Sequence, residues 1–500
     1  MNPTRTSIFL VTVLGSLPAC RRNRPEPVLQ APARPVVASG PNATPVGPNG
    51  TTSTTPESPV GQQVQITGAG TQGTSSIRSV PPVPATGCPA RLPNAALGPG
   101  TVHNADVTMN ETWTIEGSPH RLPDGLEIRT GGSVTLAPCS VVLVAHGNHF
   151  RVNDGGAVMA IATTAQPIRI GSDNPTPQAG DWTGVEFFQA ARVTSRLDHV
   201  TIEHAGANAN EFAGCLINWL PGLDVQNVTL SNCRGFGAVL LDGGSFSTGS
   251  TGLTVTGGTA GDATANGSVA IGNPDSVRTL PSGSYTGNQV SEILVQAAAP
   301  IRTTGRWRNP GVRYHLVDNA DLRIEGPAAP VLTIDPGSII AMGRDAALRV
   351  GWEAEGALVA DGQAEATRIV FQAAGNDPSP GAWGAVELGS HYNRAQTRFN
   401  FVTFQNGGGA TLSACRAASV ASDHAVLMIS QAPLSNQILQ HARFLGLPPD
   451  GAAIIRDFGG AAINFADATL HNEFSQSGTP CAQSPMRGAD GNCPEAATCQ

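Results

Sequence analysis

The chain contains no lysine, so all 29 of its basic residues are arginine. We read this as genome composition rather than chemistry. Charged residues make up only 13% of the sequence, about half of the roughly 25% usual for globular proteins. The net charge of −8 is spread out and no basic stripe exists, which excludes a nucleic-acid partner held by phosphate contacts. Aromatics are scarce at 5%. Long apolar runs are missing too: the longest, Ile8 to Leu17, is too short to span a bilayer. No two cysteines have the C-x-x-C spacing of a zinc site. The Gly-Gly-x-Gly-x-Asp nonapeptide of calcium-binding repeats is absent, as is any cluster of several Asp beside an Arg.

What is present begins with an export signal. "MNPTRTSIFLVTVLGSLPAC" (1–20) carries one positive residue, Arg5, then the apolar run, then small residues before Cys20. "LPAC" resembles a bacterial lipobox, in which Cys20 is lipidated and becomes the mature N-terminus. Arg21 follows where an Asp would retain a lipoprotein in the inner membrane. The resemblance therefore implies the outer membrane or cell surface, with the membrane reached through the lipid. Residues 21–86 are rich in Pro, Gly, Ser and Thr without apolar periodicity and are expected to be a disordered tether. A coil of that length spans about 45 Å on average.

Beyond the tether, one segment is said twice. "GDWTGVEF" (180–187) returns as "GAWGAVEL" (381–388), placing Trp182 and Trp383 201 residues apart. "SVTLAPCSVVLV" is answered by "VLTIDPGSIIAM", and "LDHVTIEHAG" (197–206) by "FNFVTFQNGG" (399–408), all at nearly the same offset. The expectation is an internal duplication, with segments at 87–300 and 301–475 and a Cys-rich tail or cap at 476–500. A finer rhythm runs inside the first segment. "HVTIEH" at 199, "NVTLSN" at 227 and "GLTVTG" at 252 begin 28 and 25 residues apart. Each alternates apolar residues inward (Val200, Ile202; Val228, Leu230; Leu253, Val255) and closes on Gly or Asn. Strands this short, with no helical crossover, are solved by a parallel β-helix whose stacked coils bury one continuous core. A β-sandwich array would need longer strands and hairpin turns.

"IRIGSDNPTPQAGDWTGVEFFQAARVTSRLDHVTIEHAG" resembles bacterial right-handed parallel β-helix proteins of the pectin-lyase-like superfamily, over about residues 125–475. The resemblance implies an all-β right-handed solenoid. It does not decide function, since that superfamily hosts lyases, hydrolases, adhesins and scaffolds.

The outward positions read as His199, Thr201 and Glu203 on one coil and Asn227, Thr229 and Ser231 on the next. Glu203, His199 and Asp198 are the candidates if the protein is a polysaccharide lyase or glycoside hydrolase working in a groove. Paired acids on neighbouring coils would have to converge for glycoside cleavage: Asp198 and Asp224 lie near the edges of successive strands, with Asp181 and Glu186 a coil earlier. In the second segment the matching positions are Phe401, Thr403 and Gln405, which cannot do that work. The leading expectation is therefore a non-enzymatic binding or structural module, glycan-binding or adhesive, whose partner is a polysaccharide or a surface protein. No cofactor is implied, and calcium has only isolated carboxylates to hold it. Repetition of Trp182 and Trp383 points to packing, whereas Trp219 and Trp352 read as exposed aromatics near turns. With Cys20 set aside, eight cysteines remain, an even number in an exported chain. Cys215 and Cys233 could bridge neighbouring coils, Cys88 and Cys139 could clamp one end, and Cys415 could pair with Cys481, Cys493 or Cys499 to clamp the other.

Overall fold

Among the described residues, every strand pairs in parallel with one that lies about 20 to 40 residues away along the chain. Leu126–Ile128 pairs with Phe150–Val152, that with Val185–Phe187, and that with Gly214–Asn218. The same succession continues through Glu292–Val295, Arg313–Leu316 and Ile339–Met342 to Glu473–Phe474. The computed structural model describes residues 87–483, apart from 90–92, 193, 208–212, 262–265, 376–378, 410–423, 450, 459–462 and 475–478. Among the described residues there are two 13-stranded sheets, one of six strands and one of five. Among the described residues, helix is limited to short 3-10 segments, the longest being Pro274–Thr279. Long parallel sheets made of strands this short are compatible with a parallel β-helix.

Alternation explains the core. Val200, Ile202, Val228, Leu230, Leu253 and Val255, the residues read as inward, are all at most 1% exposed. Each such side chain contributes on the order of 1.5–3 kcal/mol on burial. The strands are short because the chain must turn, and the turns are made by single residues in the left-handed region. Asn227 (φ 50°), Asn232 (φ 52°) and Asn406 (φ 58°) do this as the sequence suggested. His199 (φ 53°) and Phe401 (φ 49°) do it too. His199 and Asn227 are thus corner residues, not outward strand positions, because each separates two strands of one rung. One ladder runs through Arg196–Asp198 and Asp224–Gln226, the other through Val200–Glu203 and Thr229–Ser231, and Thr251–Thr256 joins both.

No break marks residue 300: the second 13-stranded sheet runs straight through it. The two Trp environments match in detail. Trp182 and Trp383 are both fully buried, and their indole N–H groups donate to the carbonyls of Glu203 (2.9 Å) and Gln405 (2.8 Å). Yet Val200–Glu203 lies in the first 13-stranded sheet and Val402–Gln405 in the second.

Disulfides join Cys88 to Cys139 and Cys215 to Cys233. Cys481 lies in a strand whose backbone pairs with Ile454. Cys415, Cys493, Cys499 and the proposed signal, Cys20 and tether lie outside the described residues.

Candidate functional site

The corner at His199 is where sequence-derived candidates meet. On the rung below, the chain makes an extra tight turn, closed by the Gln166 N–H donating to the Thr163 carbonyl at 3.0 Å. The flanking bonds from Ala162 N to Asp198 O (3.0 Å) and from Ile168 N to His199 O (3.1 Å) seat that turn against the corner. Thr164, exposed at its tip, places Oγ1 3.0 Å from His199 Nε2. On the other side of the imidazole, His199 Nδ1 lies 2.7 Å from Asp198 Oδ1. Asp198 Oδ2 accepts from Arg196 Nη2 at 2.9 Å, and Arg196 also approaches Asp224 at 3.5 Å. The side chains of His199 and Asp198 are 23% and 14% exposed. A hydroxyl, an imidazole and a carboxylate therefore stand in line at an open surface. Thr164 was not legible beforehand, because only the extra turn brings it there.

Glu203 goes elsewhere. It follows Ile202 on the outer face but is only 2% exposed. It lies over Gly171, where a Cβ would stand 3.1 Å from its Cγ. Arg169 Nε donates to its Oε1 at 2.5 Å, and Arg169 Nη2 donates to Asn94 Oδ1 at 2.9 Å. Asn94 is itself anchored on the carbonyls of Ser172 and Asn174. The N-terminal described segment thus covers this pair. Beside it lies a mainly apolar groove of about 340 Å³, bounded by the Cys88–Cys139 bridge, Leu97 and Val141 and floored by Arg169 and Thr201.

Cross-rung Arg–Glu pairs recur. Arg151 holds Glu186 (2.7 Å), Arg349 holds Glu387 (3.1 Å), and Arg313 holds Glu292 (2.8 Å). The first two occupy answering positions, "FRV…VEF" and "LRV…VEL", a signal in the sequence that the Trp motif overshadowed. Burial would push the Glu292 carboxyl up, but His315 and Arg313 together hold it below the usual carboxylate range. Asp181 serves a turn, accepting from Ser172 Oγ (2.7 Å) and Gln178 N (2.8 Å). Trp219 is half-buried and stacks on Phe188 with ring centres 4.8 Å apart. Trp352 is half-buried under the Arg349 guanidinium at 5.2 Å. Neither is a free aromatic platform.

Beyond Glu203 the outer face becomes a ladder of hydroxyls. Thr201, Thr229, Thr254 and Ser284 stand in register on successive rungs, with Ser231 and Thr256 one column over. Adjacent rungs are about 4.8 Å apart, and the threonines are half-exposed. At the opposite end of that sheet, His103 stacks on Trp113 with centres 4.0 Å apart and puts Nε2 3.1 Å from His120 Nδ1. His120 Nε2 donates to the Thr114 carbonyl at 2.9 Å.

Among the described residues, no group of three or more His, Cys, Asp and Glu is placed to hold a metal ion. Compared with known proteins, the chain matches no family model, no curated protein and no solved structure.

Proposed function

We propose that this chain is an exported lipoprotein, anchored through Cys20 and carrying a duplicated right-handed parallel β-helix whose hydroxyl-lined face binds glycan chains at the cell surface. The observation that carries the reading is the ladder of Thr201, Thr229, Thr254 and Ser284 with Ser231 and Thr256 beside it. Hydroxyls on evenly spaced rungs offer donors and acceptors to a polymer whose own hydroxyls repeat. The neighbouring Glu203 is held by Arg169 across rungs, which suits a rigid recognition surface better than acid–base work. Duplication is supported by the paired Trp182 and Trp383 bonds and by the Arg151–Glu186 and Arg349–Glu387 pairs at answering positions. Export is supported by the two disulfides.

The test is incubation of the full chain with a panel of polysaccharides, with and without calcium, scoring bound protein and newly released chain ends. Binding should fall at least tenfold in Thr229→Arg and Thr254→Arg, with the unfolding midpoint unchanged. Chain-end release abolished by Glu203→Ala would replace this reading with a polysaccharide lyase or glycoside hydrolase. Cys20→Ala should abolish membrane partitioning.

A further inference from the structure

We propose that Thr164, His199 and Asp198 form an acyl-transfer site, distinct from the glycan-binding face, that cleaves small O-acyl esters. The geometry sets the roles. Asp198 Oδ1 is 2.7 Å from Nδ1 and accepts its proton, which leaves Nε2 as the acceptor for the Thr164 hydroxyl 3.0 Å away. Arg196, on the far oxygen of Asp198, holds that carboxylate in place. The imidazole is thereby fixed in the tautomer that can take a proton from Thr164.

Corner duty does not account for the arrangement. Asn227, Phe401 and His441 make the same kind of corner, with φ of 50°, 49° and 49°. None of them follows a carboxylate: Gln226, Asn400 and Gln440 precede them. His441 Nδ1 meets only the neutral Asn400 amide oxygen, at 3.1 Å. The corner needs a left-handed residue, and of these four only His199 also lines up a hydroxyl and an acid.

In the step, Thr164 Oγ bonds to the ester carbonyl carbon while its proton passes to His199 Nε2. The tetrahedral intermediate collapses, breaking the bond to the leaving oxygen, which takes that proton and departs as an alcohol. Water then repeats the sequence on the acyl-threonine, with His199 again as base, releasing the acid and restoring Thr164. The N–H groups of Thr164 and Ala165 at the turn donate to no backbone carbonyl among the described residues, and the proposal assigns them to the oxyanion. The open tip of the turn encloses no long acyl chain, so the acyl group is small, acetyl in the simplest case, and the alcohol can belong to a large polymer.

The probe is p-nitrophenyl acetate with the full chain, followed by turnover and by peptide mass spectrometry for an acetyl group on Thr164. Thr164→Ala and His199→Asn should each lose about 100-fold or more. Asn stands at the corner of the next rung, so His199→Asn keeps the backbone. Thr164→Ser should retain turnover. Asp198 is a positioning residue: Asp198→Asn should lower kcat with KM held and displace the rising limb of the pH–rate profile. Asp198, Arg196 and Asp224 are the charged groups set around the imidazole. Hydrolysis no faster than free imidazole, or unchanged in Thr164→Ala, overturns the proposal whatever the glycan panel shows.

Discussion

Arg169 and Glu203 show what one residue can decide. Glu203 looks catalytic in "VTIEH", but Arg169 crosses from the rung below and Asn94 closes over both. Removing one partner of so enclosed a pair leaves the other's charge buried without its main counterion. Arg169→Met is expected to cost about 3–5 kcal/mol in urea unfolding, and adding Glu203→Met should recover most of that. A loss below about 1 kcal/mol would mean the pair is effectively solvated. Nothing local to "VTIEH" could reveal this cover, since Asn94 lies 75 residues away from Arg169 and follows no periodic pattern. His199 and Asp198 were legible as single candidates, but the sequence pointed to Glu203 as the partner of His199 rather than to Asp198. Their hydroxyl partner was not legible.

At the scale of strands and turns, reading alternation succeeded because a strand has only two faces: Val200, Ile202, Leu253 and Val255 all point where period two places them. Corners were legible only in part. Asn and Gly advertise left-handed backbone, whereas His199, His204, His441 and Phe401 adopt it without any such signal. The N-terminal edge offers a test at this scale. Burial, and for His103 the neighbouring His120, keep both imidazoles below their ordinary value, against opposing pulls from Glu111 and the Thr114 carbonyl. An imidazole depressed in the folded state binds its proton more readily when unfolded. The stabilisation is therefore complete above about pH 6.5 and drains away as pH falls below it. Amide protection at Thr101 and His103, which bond to the carbonyls of Pro119 and Arg121, should drop between about pH 6.5 and 5. His120→Asn should flatten that response. Protection independent of pH over this range would show that the dyad bears no part in holding the edge strand.

For the molecule as a whole, the two bridges act on very different lengths of chain, with 51 residues separating Cys88 from Cys139 and 18 separating Cys215 from Cys233. Restricting the unfolded chain is worth about 4 kcal/mol for the longer loop and about 3 for the shorter. Replacing Cys88 and Cys139 by Ser should thus lower the unfolding midpoint more than replacing Cys215 and Cys233. The opposite order would locate the stabilisation in native packing instead. The second 13-stranded sheet has one more implication. Since Val200–Glu203 and Val402–Gln405 sit in different sheets, the echoed sequence does not return the same surface: Thr201 stands beside Thr229, whereas Thr403 stands between Val370 and Arg443 and is buried. On the glycan-binding proposal, a polymer would therefore meet the hydroxyl ladder along one stretch only, a single handhold on each protein.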